Sequence, residues 1–483
     1  MKVLPKRLRE ICLFSLLLAP AGAYATNGYF MIGFGAKSRG MGGVGVAYAQ
    51  DGLAAAANPA GMSFADVSSM RVDAGGELFN PPRSVRQDSA ALEAGFPGSD
   101  SGVNHDSGSN LFLIPNMGMI YKFNRKMYVG MAAIGAGLGT RYNQQVPGKP
   151  GCLQGTTTAN GNPDNGVGST FFNFNCNADS YTVGVTLYQM QMLPSISYKI
   201  NKNHSIGASL ALGLQMFRAY GLGAFQDLGF AGTKQNVSGR GNDWSYGAGI
   251  RLGWAGKFFK QRLTLGTNYA SRVYMTKFKR YENLFAERGS FDIPEHFAVG
   301  AAFKLTDKLT LAADTQLIRY SSVRSVGNTG PSANDPGDLN VNGSCKGIAD
   351  DVDPDNCKLG GNDGMGFGWQ DQMVYKVGVN YDYNSKWSFR TGYNYGKSPI
   401  PDDQVLFNML APATVEHHVT VGFSYRPSKS IEWSFNGMHA FKNTIKGPSA
   451  FGPTGDANID KNVDSVAISM RQWSLGLSFA YKM

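Results

Sequence analysis

Trp244-Ser245-Tyr246-Gly247-Ala248-Gly249-Ile250-Arg251-Leu252-Gly253-Trp254 alternates without a break. Trp244, Tyr246, Ala248, Ile250, Leu252 and Trp254 share one face, and Ser245, Gly247, Gly249, Arg251 and Gly253 share the other. Successive side chains of a strand point to opposite faces, so the stretch reads as a strand with one wholly apolar side. A soluble sheet buries such a side. Here an aromatic residue closes it at each end, about ten residues apart, the pattern of an outer-membrane strand that faces lipid on one side and a lumen on the other.

The same alternation predicts strands at 66–79, 111–123, 127–141, 183–200, 204–219, 243–256 and 262–276. A second set falls at 293–305, 309–322, 372–383, 386–398, 415–426, 430–444 and 469–482. Short links at 124–126, 201–203, 257–261, 306–308, 384–385 and 427–429 alternate with long loops at 80–110, 142–182, 220–242, 277–292, 323–371, 399–414 and 445–468. Strict alternation of short and long connections is what an all-β, fourteen-stranded antiparallel transmembrane barrel requires, with short turns periplasmic and long loops extracellular. A sandwich or propeller would not segregate loop lengths in this way.

Export to that membrane is provided for. Lys2, Lys6, Arg7 and Arg9 precede an apolar run from Ile11 to Ala23, and Ala23-Tyr24-Ala25 supplies small residues for cleavage. Residues 1–25 therefore read as a secretory signal peptide rather than a membrane anchor, and the mature chain starts at Thr26. After it there is no run of eighteen apolar residues, and the mean hydropathy of the whole chain is −0.22, which excludes a helical membrane protein but not a barrel. The formal net charge of +10 is scattered along strands and loops with no basic run. It suits a surface beside anionic lipopolysaccharide in the bacterial outer membrane, and no nucleic-acid partner is expected. Cys152 and Cys176 fall in one long loop and Cys345 and Cys357 in another, an arrangement that reads as two loop disulfides, although four cysteines allow three connectivities.

Residues 26–65 differ from the rest. They are rich in Gly and Ala, end in Asn58-Pro59-Ala60-Gly61-Met62 and lack strand alternation, so they form a compact non-barrel element. Residues 66–483 form the barrel. Alternation turns Arg71, Asp73, Glu77, Arg251, Arg272, Asp314, Lys376, Arg390, Glu416, His418 and Glu432 toward the lumen. Such charges either pair with one another and with whatever fills the barrel, or Arg251, Arg272, Lys376 or Arg390 receives the carboxylate of an amphipathic ligand. The third strand is apolar on both faces and carries Gly130, Gly135 and Gly137, which mark a bend or a close approach to its backbone. Three loop clusters stay apolar: Phe171, Phe172 and Phe174; Leu222, Phe225, Leu228 and Phe230; and Leu406, Phe407, Met409 and Leu410. Such patches contact a ligand or a partner, or cover one another.

Asn27-Gly28-Tyr29-Phe30, Gly40-Met41-Gly42-Gly43-Val44-Gly45-Val46-Ala47 and Asn58-Pro59-Ala60, followed by fourteen strands, resemble the FadL/TodX outer-membrane transporters over essentially the whole mature chain. The resemblance implies a monomeric barrel closed by an N-terminal hatch that includes Asn58, Pro59 and Ala60. It implies passive inward transport of a hydrophobic small molecule, foremost long-chain fatty acids and alternatively aromatic hydrocarbons, with no cofactor. It further implies capture between the long loops and release through a lateral gap at the third strand, where Gly130, Gly135 and Gly137 lie.

Other motifs carry less. Gly40–Gly45 spells GxGxxG but no strand precedes it and no βαβ unit follows. Asp351, Asp353 and Asp355 resemble the start of a calcium loop without its Gly and distal Glu, so no metal is expected. Glu416-His417-His418 sits in no HExxH, and no GxSxG elbow appears, so the protein is not expected to be an enzyme. The rival reading is a general diffusion porin for small polar solutes, which leaves the Gly/Ala-rich N-terminal element without a role.

Overall fold

A computed structural model describes residues 27–87, 103–143, 182–223, 225, 230–233, 235–330, 356–447 and 466–483, with the two-residue strands Thr156–Thr157 and Pro163–Asp164. Fourteen strands make the wall: β1 (Met70–Asn80), β2 (Phe112–Lys122), β3 (Met127–Gly139), β4 (Thr182–Lys199), β5 (His204–Tyr220), β6 (Asp243–Phe258) and β7 (Leu263–Ala270), then β8 (His296–Lys304), β9 (Leu309–Ile318), β10 (Gln372–Asp382), β11 (Trp387–Gly396), β12 (His417–Tyr425), β13 (Ile431–Gly447) and β14 (Val466–Lys482). Each pairs antiparallel with its sequence neighbour, and β1 closes the barrel on β14 from Arg71↔Lys482 to Asn80↔Trp473. Among the described residues no helix is long and apolar enough to cross a membrane.

Alternation becomes sidedness. Leu252 is 48 % exposed and its neighbour Arg251 only 1 %. The exposed side of the wall is a belt of Leu, Ile, Val, Phe, Tyr and Trp, the surface that hydrocarbon requires. The short turns gather at one end, where the C-terminal residue Met483 accepts from the amides of Ser69 and Met70. Their sequences explain their tightness. Asn124 Oδ1 accepts the amides of Lys126 and Met127, Asn201 Oδ1 those of Asn203 and His204, and Asn384 Oδ1 those of Lys386 and Trp387. Each side chain thus replaces a backbone acceptor in the turn.

The strand positions agree with the sequence reading, with three departures. The seventh strand stops at Ala270 rather than running to 276, and Tyr274–Met275 then pair with Ala248 and Gly247 of β6 across the interruption. The inward face of β6 permits this, because a Cβ at Gly247 would overlap Met275 and the Tyr274 carbonyl. Residues 80–110, read as loop, contain strands Arg83–Gln87 and Val103–Asp106, the first of which continues the pairing with β14. Pro81-Pro82 interrupts the ladder along β14 between β1 and Arg83–Gln87, since proline has no amide to donate. Finally, Tyr320–Ser322 leaves the ninth strand as a 3-10 turn.

Residues 27–65 contribute three short helical pieces, Gly35–Arg39, Ala54–Ala57 and Pro59–Phe64. Their backbone touches inward-facing glycines around the wall. A Cβ at Gly392 of β11 would overlap the Met41 carbonyl carbon, one at Gly118 of β2 the Gly52 carbonyl, and one at Gly253 of β6 the Asn58 side chain. Polar groups complete the contact. Asp314 Oδ2 accepts from Gly45 N at 2.7 Å and Val46 N at 3.0 Å, and Asp73 Oδ2 accepts from Gly52 N at 2.7 Å. Thr420 Oγ1 accepts from Gly42 N at 2.8 Å, and Asn58 Nδ2 donates to Trp254 O at 3.0 Å. Two buried ion pairs, Lys37–Glu432 at 2.5 Å and Arg39–Glu77 at 2.6 Å, add charge complementarity. Removing one partner of such a pair leaves an uncompensated buried charge, so these contacts fix the segment's position more than they add net stability. Burial, with the neighbouring Asp73 charge, also pushes the Asp51 carboxyl up to about 6.

Two outcomes are expected. Leu252→Lys puts a charge near the middle of the lipid face and should cost about 2–4 kcal/mol in equilibrium unfolding from bilayers; a change under half a kcal/mol would place that face away from lipid. Asp314→Ala strips the acceptor from two buried amides and should weaken amide-exchange protection at Gly45 and Val46 by about 1–3 kcal/mol, whereas unchanged protection would mean that the carboxylate does not hold them.

Candidate functional site

The loop end of the barrel holds an apolar cavity of about 40 Å3. The wall contributes Leu138 of β3, Val185 and Leu187 of β4 and Phe217 of β5; the loops contribute Leu222, Phe225, Phe285, Phe291, Phe407 and Leu410 among others. Its only polar side chain among the described residues is Ser325, whose hydroxyl donates to Ser290 O at 2.5 Å. Aromatic rings make most of the packing. Phe225 stacks on Phe407 with centroids 5.4 Å apart, Phe230 meets Phe407 edge-on at 5.5 Å, and Phe217 meets Phe285 at 4.6 Å. The cavity is far smaller than the several hundred Å3 of typical ligand pockets. The rings around it are held by non-directional apolar contacts.

A second cavity of about 20 Å3 shares Leu138 and Leu410 with the first. Its other walls include Gly28 and Tyr29 of the N-terminal segment, Gly137 and Gly139 of β3, Arg83 and Trp369. Beside it the wall changes. β3 pairs with β4 from Met127↔Tyr198 to Gly139↔Thr186, but its ladder with β2 spans only Tyr128↔Lys122 to Ala133↔Met117. Ile134–Gly139 therefore have no ladder partner on the β2 side among the described residues, opposite a stretch of β2 that contains Pro115. Gly135 and Gly137 belong to that stretch. Gly130 lies lower, in the paired part, where a Cβ would meet Met119 O and the Met62 sulfur.

The four basic residues singled out from the sequence lie elsewhere, each with protein partners. Arg251, fully buried on β6, donates to Ala56 O at 2.6 Å and Gln191 Oε1 at 2.8 Å. Lys376 donates to Ile32 O and Gln316 Oε1, both at 2.9 Å. Arg390 donates to Ser424 Oγ at 2.7 Å and Gln50 Oε1 at 3.3 Å. Arg272, expected on a strand facing the lumen, sits instead in the interruption after β7, its side chain 30 % exposed, bonded to the Ser322 carbonyl and 3.8 Å from Asp292. None of the four lines the apolar cavity. Of the loop residues, Leu222 and Phe225 line it, while Phe171, Phe172, Phe174 and Leu228 fall outside the described residues.

Asn58 caps Pro59–Phe64 by accepting from Ala60 N at 3.0 Å, and the Ala60 carbonyl accepts from Ser197 and Ser205 of the wall. His418 faces inward and is buried, whereas His417 is on the lipid side, 2.5 Å from the Tyr393 hydroxyl. Cys357 is buried and disulfide-bonded; Cys152, Cys176 and Cys345 lie outside the described residues, as do Asp351, Asp353 and Asp355. No group of three or more potential metal ligands occurs among the described residues.

Sequence reasoning missed Leu138, Phe217, Phe285 and Phe291 as cavity residues. Leu138 was visible in the doubly apolar third strand, and Phe217 in the inward phase of β5; nothing in the sequence says that the loop from Ala270 to His296 folds over them.

Among curated proteins no sequence matches significantly. Solved structures do share the fold. The Pseudomonas putida toluene transporter TodX is 18 % identical with a TM-score of 0.59, covering 95 % of this chain and 100 % of its own. A Pseudomonas aeruginosa FadL homologue is 13 % identical with a TM-score of 0.59, covering 94 % and 99 %, and the CymD monoaromatic hydrocarbon channel is 15 % identical with a TM-score of 0.55, covering 95 % and 99 %. The family model of the outer membrane protein transport proteins (OMPP1/FadL/TodX) matches residues 154–482, more than half of the sequence. The chain therefore belongs to the OMPP1/FadL/TodX family of transport proteins of the bacterial outer membrane.

Proposed function

We propose that the protein carries uncharged hydrophobic small molecules, monoaromatic hydrocarbons foremost, passively across the outer membrane. One observation carries this choice: the apolar cavity at the loop end has no charged residue in its lining among the described residues. The toluene and monoaromatic-hydrocarbon transporters that share the fold support it by analogy. In this reading Leu222, Phe225 and Phe407 capture the molecule, and Phe171, Phe172 and Leu228, outside the described residues, are further ligand contacts. Leu138 and Leu410, common to both cavities, pass it inward. It leaves sideways where Ile134–Gly139 lack a partner on β2, with Gly135 and Gly137 giving the backbone clearance. Residues 26–65 act as a hatch in the lumen, so the path never crosses water, which an apolar solute resists entering by roughly 0.8 kcal/mol per methylene.

A long-chain fatty acid is the second reading. It rests on Arg83, the cationic side chain in the second cavity, which donates to Gly139 O at 2.6 Å. A signal peptide at 1–25 exports the chain, which sits as a monomeric barrel within lipid and lipopolysaccharide and carries local Cys152–Cys176 and Cys345–Cys357 disulfides.

Uptake of labelled toluene and labelled oleate by cells expressing the chain separates the two. Toluene uptake above the empty-vector level, lost in Phe225→Asp, is expected. Oleate uptake alone, lost in Arg83→Gln, would establish the second reading, and uptake of neither would overturn both.

A further inference from the structure

At the short-turn end a vestibule of about 1000 Å3 opens between the N-terminal segment and the wall. It is no part of the apolar route: both cavities of that route lie at the opposite end. Seven cationic side chains line it against three carboxylate side chains, Asp66, Asp382 and Glu432, with the C-terminal residue Met483 also in its wall. The carboxylates are already engaged. Glu432 lies within 4 Å of Lys37, Arg71, Arg426 and Lys482, Asp66 is 2.5 Å from Lys482, and Asp382 accepts from Ser388 and lies 4.0 Å from Arg426. Arg71 is further held by Asp73, which its Nε and Nη2 reach at 2.7 Å.

Three cations remain. Among the described residues Arg390, Lys386 and Lys429 have no carboxylate within ion-pair distance, and all three line the vestibule. Arg390 is the telling one. It is 7 % exposed, yet its partners are the neutral Ser424 hydroxyl and Gln50 amide oxygen. Glu432 and Asp382 act on it only from beyond ion-pair distance, and a buried guanidinium with no directly bonded counter-charge is costly unless an anion completes it. Two more donors in the same lining are unsatisfied: the buried Nη1 of Arg71 and Nε2 of Gln50 have no hydrogen-bond partner. Tyr48 and Phe64 add aromatic surface beside them.

We propose that this vestibule is an anion-binding site for a small periplasmic solute bearing a carboxylate or a phosphate group. Arg390 is its central ligand, Gln50 and Arg71 supply further donors, and Lys386 and Lys429 attract the anion at the rim. A guanidinium fork matches either group bidentately, so the shared chemistry is the oxyanion. The site also spans a seam, because Gln50 belongs to the N-terminal segment and Arg390 to β11. An anion that takes over the Arg390 donors competes with the Arg390–Gln50 bond, so its occupancy is linked to how firmly the segment sits.

The test uses the full chain in detergent, titrated with inorganic phosphate or with acetate at an ionic strength held constant with chloride. Calorimetry and the thermal midpoint are the readouts. A saturable rise in midpoint with heat of binding is expected for at least one anion, about tenfold or more weaker in Arg390→Gln and unchanged in Arg240→Gln, an exposed loop-end cation. A response to phosphate alone or to acetate alone assigns the oxyanion. Should Arg390→Gln not fold, the exposed-turn double variant Lys386→Gln/Lys429→Gln should still weaken binding with its fold intact. No saturable response to either anion, or equal binding in the folded variants, would overturn the site. Toluene uptake is not expected to depend on these residues, so the cargo reading stands or falls separately.

Discussion

Everything in this molecule rests on how closely the backbone of residues 27–65 approaches the inner face of the wall. Where Met41, Gly52 and Asn58 come in, the wall has Gly392, Gly118 and Gly253, and any side chain at those positions would occupy the same space. Contact at this range leaves no room for water between the two backbones, so their polar groups must find partners in each other. Asp314, Asp73 and Thr420 reach the amides of Gly45, Val46, Gly52 and Gly42 for that reason. Arg251 and Lys376 meet the carbonyls of Ala56 and Ile32 in the same way.

That constraint divides the lumen into unlike ends. Toward the long loops, aromatic rings close over a small apolar space, and the wall beside it loses its ladder between β2 and β3. Toward the short turns, the space widens and fills with charge, mostly positive. The lining is apolar at the first end and charged at the second. Between them lies the contact of segment and wall.

The fold was legible because lipid imposes a period of two on every strand and loop lengths betray which end is which. The opening stretch shows both its success and its limit. Its apolar face, Trp244 to Trp254, is the outer surface as the alternation implies. Its small face was legible only as small: that Gly253 makes way for Asn58, and Gly247 for Met275, depends on segments distant in sequence. The same blindness governed the charged residues. Parity placed Arg251, Lys376 and Arg390 inward correctly, yet their partners are carbonyls and amides that alternation does not report. Arg272 escaped parity altogether because the ladder breaks at Ala270. Phe225 and Leu222, by contrast, stood out as apolar residues in a loop that should be polar, and both line the cavity.

The most direct measurement is ion conductance across a planar bilayer, comparing the intact chain with one lacking residues 27–65. If the segment fills the lumen, the intact protein passes almost no current and the shortened barrel conducts as an open pore. An intact chain that conducts as freely as the shortened one would mean that water already runs through the barrel, and the contact on which this account depends would not close it.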